Sequence, residues 1–476
     1  MTERYWIETL GCPKNQVDSD KLVGTLVADG FEAATAPEQA DLVVVNTCAF
    51  IEAARQESVD TVLALSDARR EGARLVVTGC MAERYGDELA EALPEVDLVA
   101  PFGVALTCAT SAAGPAPATG ATGTPVLLGR KPVLPPAGAA IPSFDLLNLP
   151  RPASAAPWSY IKVAEGCDRN CGFCAIPSFR GKQRSRTTGS ILAEVDQLAG
   201  PDGSLREVVL VAQDLSSFAL DRSTGRTVPR IDGPAVGGHR PIVELVEAVA
   251  ERVDWVRLLY LYPSTLDDAL VEAILATGVP YFDLSLQHVS RPLLKRMRRW
   301  GEGDRFLDRI ASIRRADPTA AFRSSFIIGY PGETEADHDH LLEWLEEAQL
   351  DWVGFFPFSN EAGTYASDLE GHVADELVAE RLRECTELQD GITATRRDLL
   401  IGTTVEVLVD APGEGRTYRE APEIDGIVSL PADLAVGSFV DVVVTGADGP
   451  DLIAEPAPGA GPHPAPILAG ALGSAP

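Results

Sequence analysis

The segment CDRNCGFCAIPSFRGKQRSR, residues 167–186, places three cysteines within eight positions. Cys167, Cys171 and Cys174 have the spacing C-x3-C-x2-C and directly follow a strand-like segment, WSYIKVAEG. Thiolates this close together in one loop can wrap a single inorganic cluster. A structural zinc site would need a fourth Cys or His nearby, and none occurs before residue 190. The spacing therefore predicts an iron–sulfur cluster with one iron open to another ligand.

A repeated β/α pattern contains this loop. Strand-like segments alternate with helical ones over about 200 residues. The six strand candidates are WSYIKVAEG, REVVLVAQ, WVRLLYLY, YFDLSLQ, FRSSFIIG and WVGFFPF. This repeat predicts a closed or partial (β/α)6 barrel with its chemistry at the carboxyl ends of the strands. The cysteine loop is the first β/α loop of that barrel.

Residues 3–107 show a second βαβ pattern, which predicts a parallel sheet covered by helices. A cysteine follows each of three strand-like segments in this pattern, within two residues of its end. Cys12 follows RYWIETL, Cys48 follows DLVVVNT and Cys80 follows RLVVTG. The carboxyl ends of parallel strands line up at one edge, where ligands bind. We therefore expect three thiols that are distant in sequence to converge. The alternative is that they are only small residues in strand-end turns.

The composition argues against a membrane protein and against broad binding to nucleic acid. The 476 residues carry a formal net charge of −30, which repels phosphate backbones, although it can also serve solubility alone. A run of 18 apolar residues and a signal-peptide pattern are both missing. The sequence predicts a cytosolic protein, where thiols stay reduced. Eight cysteines then point to metal or catalytic roles.

Changes in composition predict five segments. Short alternating strands near the C-terminus predict a small β-barrel, and Ala/Pro/Gly-rich stretches cannot bury enough apolar surface to fold. The segments are an N-terminal α/β domain over 3–108, a linker over 109–155, a barrel core over 156–399, a small β-barrel over 400–450 and a disordered tail over 451–476.

The cysteine loop, with Phe173 before its last cysteine, resembles the signature of the radical S-adenosylmethionine (SAM) enzymes. The resemblance implies that Cys167, Cys171 and Cys174 hold a 4Fe–4S cluster whose open iron binds the amino and carboxylate groups of SAM. It also implies that an electron from this cluster cleaves SAM to a 5′-deoxyadenosyl radical, while the protein positions the cofactor. The fold of that family agrees with the barrel predicted above.

The two cysteine sets together resemble the methylthiotransferases. The motifs LGCPKNQVDSD, VVNTCAF and TGCMAERY match the N-terminal domain of that family, and GRTYREAPEIDGIV looks like its TRAM domain. The resemblance covers residues 3–107 and 158 to about 446. It implies a second 4Fe–4S cluster held by Cys12, Cys48 and Cys80. The cysteines would serve as ligands, and no general acid or base is implied.

Several residues at the ends of barrel strands are candidates for SAM contacts. The segment FIIGYPGETE (326–335) resembles the SAM-proximal loop of the family, although it could be an ordinary turn before a helix. Asp214 is a further possible contact, and His288 is as well explained as a structural histidine. The candidates are Phe173, Gln213, Ser285, Gln287, Gly329 and Glu333.

The basic run of Arg180, Lys182, Arg184 and Arg186 allows two interpretations. It could be a solvated face, or its guanidinium groups could stabilise an anionic cluster and the carboxylate of SAM. Cys108 and Cys385 have no partner at ligand spacing in the sequence. We predict that both are inert.

One branch of the family methylthiolates adenosine in tRNA, and the other the β-carbon of an aspartate in the twelfth protein of the small ribosomal subunit. The motifs LGCPKN and LVAQD look like the protein-modifying branch. Residues 401–450 hold two basic and nine acidic residues, a net charge of −7, which suits a basic protein better than RNA. We therefore expect a basic ribosomal protein or the ribosome as partner, with an external electron donor.

Two alternatives remain. One is methylthiolation of tRNA by the same chemistry. The other is a non-enzymatic iron–sulfur protein, which the open fourth ligand position disfavours because electron carriers usually close the cluster with four protein ligands.

Overall fold

The computed structural model describes residues 2–106, 145–200, 203–222 and 240–459. They divide into two units. The first comprises Met1–Pro152, Lys162–Arg186 and Ser359–Leu369. The second comprises Ala153–Ile161, Thr187–Phe358 and Glu370–Pro476. The loop with the closely spaced cysteines thus belongs to the same unit as the N-terminal cysteines.

A five-stranded parallel sheet forms the centre of the first unit, with strand order β2-β1-β3-β4-β5. Its elements are β1 (Arg4–Thr9), α1 (Pro13–Ala28), β2 (Glu32–Ala33), β3 (Leu42–Thr47), α2 (Glu52–Ala68), β4 (Arg74–Gly79), α3 (Cys80–Ala92) and β5 (Leu98–Ala100). Every residue of β3 is buried, as a strand covered on both faces requires. The predicted parallel α/β domain is confirmed.

Alternate side chains of β3 enter two different hydrophobic cores. Val43 and Val45 pack with Val62 of α2, whereas Val44 packs with Leu22 of α1. Because successive side chains of a strand point to opposite faces, this division places the two helices on opposite sides of the sheet.

A short hairpin closes the base of the cysteine loop. After β6 (Trp158–Lys162), the chain forms β7 (Ala164–Glu165), α4 (Ile176–Phe179) and β8 (Arg184–Ser185). β7 and β8 pair antiparallel. The loop between them carries all three closely spaced cysteines.

The second unit contains the predicted barrel. It continues with α5 (Thr188–Ala199), β9 (Glu207–Val211), α6 (Pro241–Ala250), β10 (Trp255–Leu258), α7 (Asp268–Leu275), β11 (Tyr281–Gln287), α8 (Arg291–Arg296), α9 (Gly303–Ala316), β12 (Ala321–Ile328), α10 (Glu335–Ala348) and β13 (Trp352–Pro357). The strands form the sheets β6-β9-β10 and β11-β12-β13, which a parallel bridge between Leu261 and Leu284 joins. Six strands with intervening helices confirm the partial (β/α)6 barrel.

A small closed barrel follows a long helix. The elements are α11 (Asp375–Asp398), β14 (Thr404–Ala411), β15 (Glu414–Arg416), β16 (Val428–Ser429), β17 (Phe439–Asp448) and β18 (Asp451–Pro456), and the barrel order is β14-β15-β16-β18-β17. Buried valines such as Val407, Val440 and Val442 fill its interior. The predicted C-terminal β-barrel is confirmed.

The predicted tail boundary at residue 451 is wrong. Asp451–Pro456 forms β18, which pairs with β17 and β16, and Leu452 and Ala454 are buried in the barrel. A single strand of modest hydrophobicity is not predicted from a Pro/Ala-rich sequence, but here it closes the barrel. The tail beyond residue 459 lies outside the described residues.

The predicted linker is also too long at its C-terminal end. Leu146–Asn148 forms a 3-10 helix, Leu147 accepts a hydrogen bond from the buried Lys21 ammonium over 2.7 Å, and the buried Arg151 guanidinium pairs with Asp20. The rest of the linker to residue 144, with Cys108, lies outside the described residues. Within the described part of the chain, no helix is long and apolar enough to span a bilayer.

Candidate cluster sites and cofactor residues

Three cysteines lie at one edge of the first-unit sheet. Cys12 is the N-cap residue of α1, Cys48 follows β3, and Cys80 begins α3 directly after β4. The preceding strands β1, β3 and β4 are neighbours in the sheet. The thiols are close enough that, besides burial, Cys80 and Cys12 help to raise the pKa of Cys48, and Cys12 helps to raise that of Cys80. The strand-end placement predicted from the sequence is observed.

Glycines let the backbone approach these cysteines closely. Gly11 has φ +97°, and a β-carbon there would lie 3.0 Å from Sγ of Cys48. Gly79 has φ +88°, and a β-carbon there would lie 2.2 Å from Oδ1 of Asn46. Only glycine combines this backbone conformation with so little space.

Asn15 joins the strand ends to one another. Its side-chain amide donates to the carbonyl oxygens of Leu10 over 2.8 Å and of Thr47 over 3.1 Å. Its Oδ1 atom lies 3.6 Å from Sγ of Cys80. Asn15 was not among the residues predicted from the sequence, although its place in LGCPKN, three positions after Cys12, was a signal.

The three thiols differ in their readiness to ionise. Burial, with the neighbouring cysteines, raises the pKa of Cys48 to about 12. Burial also raises the pKa of Cys80, although Arg180 acts in the opposite direction. Burial opposes ionisation of Cys12 too, but the charges of Lys14 and Arg180 lower its pKa below the usual value. Cys12 is thus the most readily available thiolate of the set.

The donor atoms of this set are of the type that holds an iron–sulfur cluster. In the described ranges, no three metal-ligating side chains are gathered as one metal ion requires. Three converging cysteine sulfurs with a guanidinium beside one of them match an anionic cluster with thiolate ligands.

Backbone hydrogen bonds organise the second cysteine set. The amide of Arg169 donates to Sγ of Cys167 over 3.4 Å, and the amide of Cys167 donates to the carbonyl of Gly181 over 3.1 Å. Cys167 is buried, whereas Cys171 and Cys174 are half-buried. An amide directed at a sulfur favours the thiolate form that a metal ligand needs.

Arg180 connects this loop to the N-terminal cysteines. Its guanidinium donates to Sγ of Cys80 over 2.9 Å and to Oδ1 of Asn15 over 2.7 Å, and it also donates to both carboxylate oxygens of Glu165 over 2.9 Å. Although burial opposes ionisation of Glu165, Arg180 and Lys162 hold its pKa well below the usual range. Lys162 in turn pairs with the buried Asp18.

The rest of the basic run has other roles. Lys182 is 88% exposed, with Asp168 at 3.9 Å. Arg184 pairs with Asp145 over 2.7 Å, and Arg186 donates to the carbonyl of Lys162 over 3.2 Å. Arg180 therefore contacts a cysteine sulfur, that of Cys80 in the N-terminal set, and Lys182 is solvated. Neutralisation of a cluster by the basic run stays a prediction.

The SAM candidates of the second unit lie at the ends of barrel strands. Gln213 follows β9, while Ser285 and Gln287 lie on β11 and are half-buried. Gln287 has φ +74°, at an irregularity in the pairing of β11 with β12. Non-glycine residues in this conformation cluster at functional sites. Phe173 belongs to the cysteine loop and is half-buried.

The loop after β12 depends on Glu333. Its carboxylate accepts the amides of Gly329 over 2.7 Å and Tyr330 over 3.3 Å, and the buried Arg381 guanidinium over 2.9 Å. Gly329 has φ +81°, and a β-carbon there would lie 2.4 Å from Val378. These bonds give Glu333 a structural role in shaping the loop.

Asp214, His288 and Cys385 have local structural explanations. Asp214 is buried and accepts the hydroxyl groups of Ser216 and Ser217. His288 is fully buried, and its Nδ1 atom accepts the amide of Ser290 over 3.0 Å. Burial raises the pKa of Cys385 to about 12, so its thiol stays protonated and unreactive.

Three family models match the chain. They are the uncharacterized protein family UPF0004 over residues 4–101, the radical SAM superfamily over residues 161–345 and the TRAM domain over residues 401–456. The radical SAM match implies SAM and a 4Fe–4S cluster as cofactors. One similar solved structure is that of the cobalamin-dependent SAM radical enzyme OxsB, at 11% identity and a TM-score of 0.41, which covers 82% of this chain and 56% of that one.

Curated relatives match nearly the full length. A ribosomal protein uS12 methylthiotransferase RimO from Cutibacterium acnes is 39% identical over 94% of this chain and 97% of its own. The protein of the same name from Moorella thermoacetica is 41% identical over 93% of this chain and 96% of its own. The chain therefore belongs to the RimO family of radical SAM methylthiotransferases.

Proposed function

We propose that this protein methylthiolates the β-carbon of an aspartate in ribosomal protein uS12. The observation that carries the proposal is the presence of two sets of three cysteines in one structural unit, one set at the strand ends of a parallel sheet and the other in a single loop. Near-full-length similarity to uS12 methylthiotransferases supports the same substrate.

Each cysteine set would hold one 4Fe–4S cluster. Cys167, Cys171 and Cys174 would leave one iron open for SAM, and Cys12, Cys48 and Cys80 would hold the second cluster. When bound, the first cluster with SAM supplies the radical chemistry, and the second carries the sulfur to be transferred. The buried sheet edge and the Asn15 hydrogen bonds keep the N-terminal thiols in place.

The second unit would supply SAM contacts. Gln213, Ser285 and Gln287 are half-buried at strand ends and keep the contact role predicted for them, as does Phe173 in the cysteine loop. Gly329 keeps its predicted contact role through its backbone, as part of the loop that Glu333 shapes. Glu333 would act indirectly by fixing the Gly329 loop, since its oxygens already accept three donors.

The small barrel favours a basic protein partner over tRNA. Its two arginines are already paired with carboxylates: Arg416 with Glu207 and Asp410, and Arg419 with Asp351. Glu414, Glu423, Asp433 and Asp448 are exposed. Such a surface would repel phosphates and attract a basic ribosomal protein. An external electron donor and a cytosolic location complete the proposal.

The proposal can be tested with purified components. The reconstituted protein would be incubated with SAM, a reductant, sulfide and either uS12 or tRNA, and the products analysed by mass spectrometry. We expect a methylthio group on one aspartate of uS12, and none with the Cys12→Ala/Cys48→Ala/Cys80→Ala variant. Modification of tRNA instead would favour the other branch, and failure to cleave SAM would exclude the enzyme.

A further inference from the structure

We propose that Arg180 is a positioning residue that sets the reduction potential of the cluster held by Cys12, Cys48 and Cys80. This inference rests on the second cluster of the proposed function. It adds a role for a residue that belongs to neither cysteine set.

Arg180 is placed where it links the two cysteine sets. Its guanidinium donates to Sγ of Cys80 over 2.9 Å. The next residue, Gly181, accepts the amide of Cys167 over 3.1 Å. One short stretch of backbone therefore links the start of one cysteine loop to a sulfur of the other set.

The guanidinium of Arg180 is held rigidly. It is buried and donates to Glu165 on one side and to Asn15 on the other. Its carbon also lies 4.7 Å from the centre of the Phe102 ring. A planar group with five donors suits this arrangement, and lysine cannot reproduce it. The direction of the N–H bond to Cys80 is thus fixed before a cluster binds.

The charge of Arg180 would favour the reduced form of the second cluster. Reduction adds negative charge to a cluster, and hydrogen bonds to its sulfurs stabilise that charge and raise the potential. Removing a buried cationic donor should therefore make the second cluster harder to reduce. We expect the ratio of reduced to oxidised cluster at a fixed potential to fall at least about tenfold, a shift of about 59 mV for a one-electron couple.

The test is a redox titration followed by electron paramagnetic resonance. Arg180→Met removes the charge and the donor, and Arg180→Lys keeps the charge without the planar group. Arg184→Met is the matched control, because Arg184 lies in the same loop and pairs with Asp145. We expect both Arg180 variants to lower the potential of the second cluster, Met more than Lys, while Arg184→Met and the cluster of the cysteine loop keep wild-type potentials.

The iron content distinguishes failure of the proposed function from failure of this inference. If the wild-type protein holds about four instead of about eight irons per chain, the second cluster is absent and this inference is overturned. Two full clusters whose potentials are the same in wild type and in the Arg180 variants would overturn the inference and leave the proposed function intact. Equal shifts of both clusters would also overturn it, because they would indicate a general field effect. If Arg180→Met does not fold, Arg180→Lys decides alone by the same criteria.

Discussion

The α-carbon of Gly166 lies against the carbonyl of Lys182, so closely that a β-carbon would stand 2.2 Å from the oxygen. The two residues flank the cysteine loop, beside the β7–β8 hairpin at its base. Their contact fixes where the chain enters and leaves the loop. Cys167 follows Gly166 directly, so its position depends on this contact.

Gly166→Ala should therefore disrupt the loop. The clash involves backbone atoms that cannot rotate away, and φ of +75° adds strain of about 1–2 kcal/mol for a residue with a β-carbon. Gly181→Ala is the matched control, since Gly181 has φ +73° but a β-carbon there would meet no atom within 4 Å. We expect Gly166→Ala to lose the iron of one cluster and Gly181→Ala to retain it. Equal iron contents would contradict this role of the contact.

Glu361 should matter for the stability of the first unit. It is 2% exposed and accepts Arg55 over 2.6 Å and Arg84 over 2.7 Å. Glu361→Gln would leave two arginines without a charged partner, and we expect the free energy of unfolding in urea to fall by about 3 kcal/mol. The exposed pair Arg383–Glu387 provides the control, because Glu387→Gln should change it by less than about 1 kcal/mol. Similar effects of the two variants would refute the assignment.

The sequence predicted the elements that periodicity specifies. β4 and β11 have the predicted bounds, and the cysteines at strand ends lie where parallel topology requires. The very short strands β2 and β5 were missed, because two or three residues carry no periodic signal. β18 was missed since its pairing with β16 and β17 is non-local.

The contacts among polar residues could not be read from the sequence for a related reason. Arg180 and Cys80 are 100 residues apart, and only the folded sheet brings them together. Neutralisation of a cluster was one of two interpretations of the basic run, and the sequence could not tell which of its arginines would reach a sulfur. Glu333 shows the reverse case: its motif suggested a ligand contact, and the folded loop uses its carboxylate internally.

Cysteine substitutions should separate ligands from inert thiols. Cys80→Ala is expected to lower the iron content of the reconstituted protein from about eight toward about four per chain, since one cluster loses a ligand. Cys385→Ala should keep the full content, because that thiol is buried and its pKa is raised to about 12. Iron analysis with an absorption spectrum of the cluster measures both. A loss of iron in Cys385→Ala, or none in Cys80→Ala, would contradict the assignment.

His288 should give the fold a pH dependence below neutrality. Burial lowers its pKa to about 3, with His340, His338 and Arg381 acting in the same direction and Asp337 against them, whereas a histidine in the unfolded chain titrates near about 6.5. Between these values the unfolded chain binds a proton that the folded chain excludes. This contribution to stability is therefore complete above pH 6.5 and is lost as the pH falls, by about 1.4 kcal/mol per unit.

Replacement of the imidazole should remove that slope. We expect the change in unfolding free energy between pH 6 and pH 5 to be smaller by about 1.2 kcal/mol in His288→Asn than in wild type. His288→Gln should lose the same slope whatever its absolute stability, because the effect comes from the missing proton site and not from packing. Urea unfolding of the cluster-free protein at the two pH values measures it. Wild-type slopes in both variants would show that His288 titrates alike in the folded and unfolded chains.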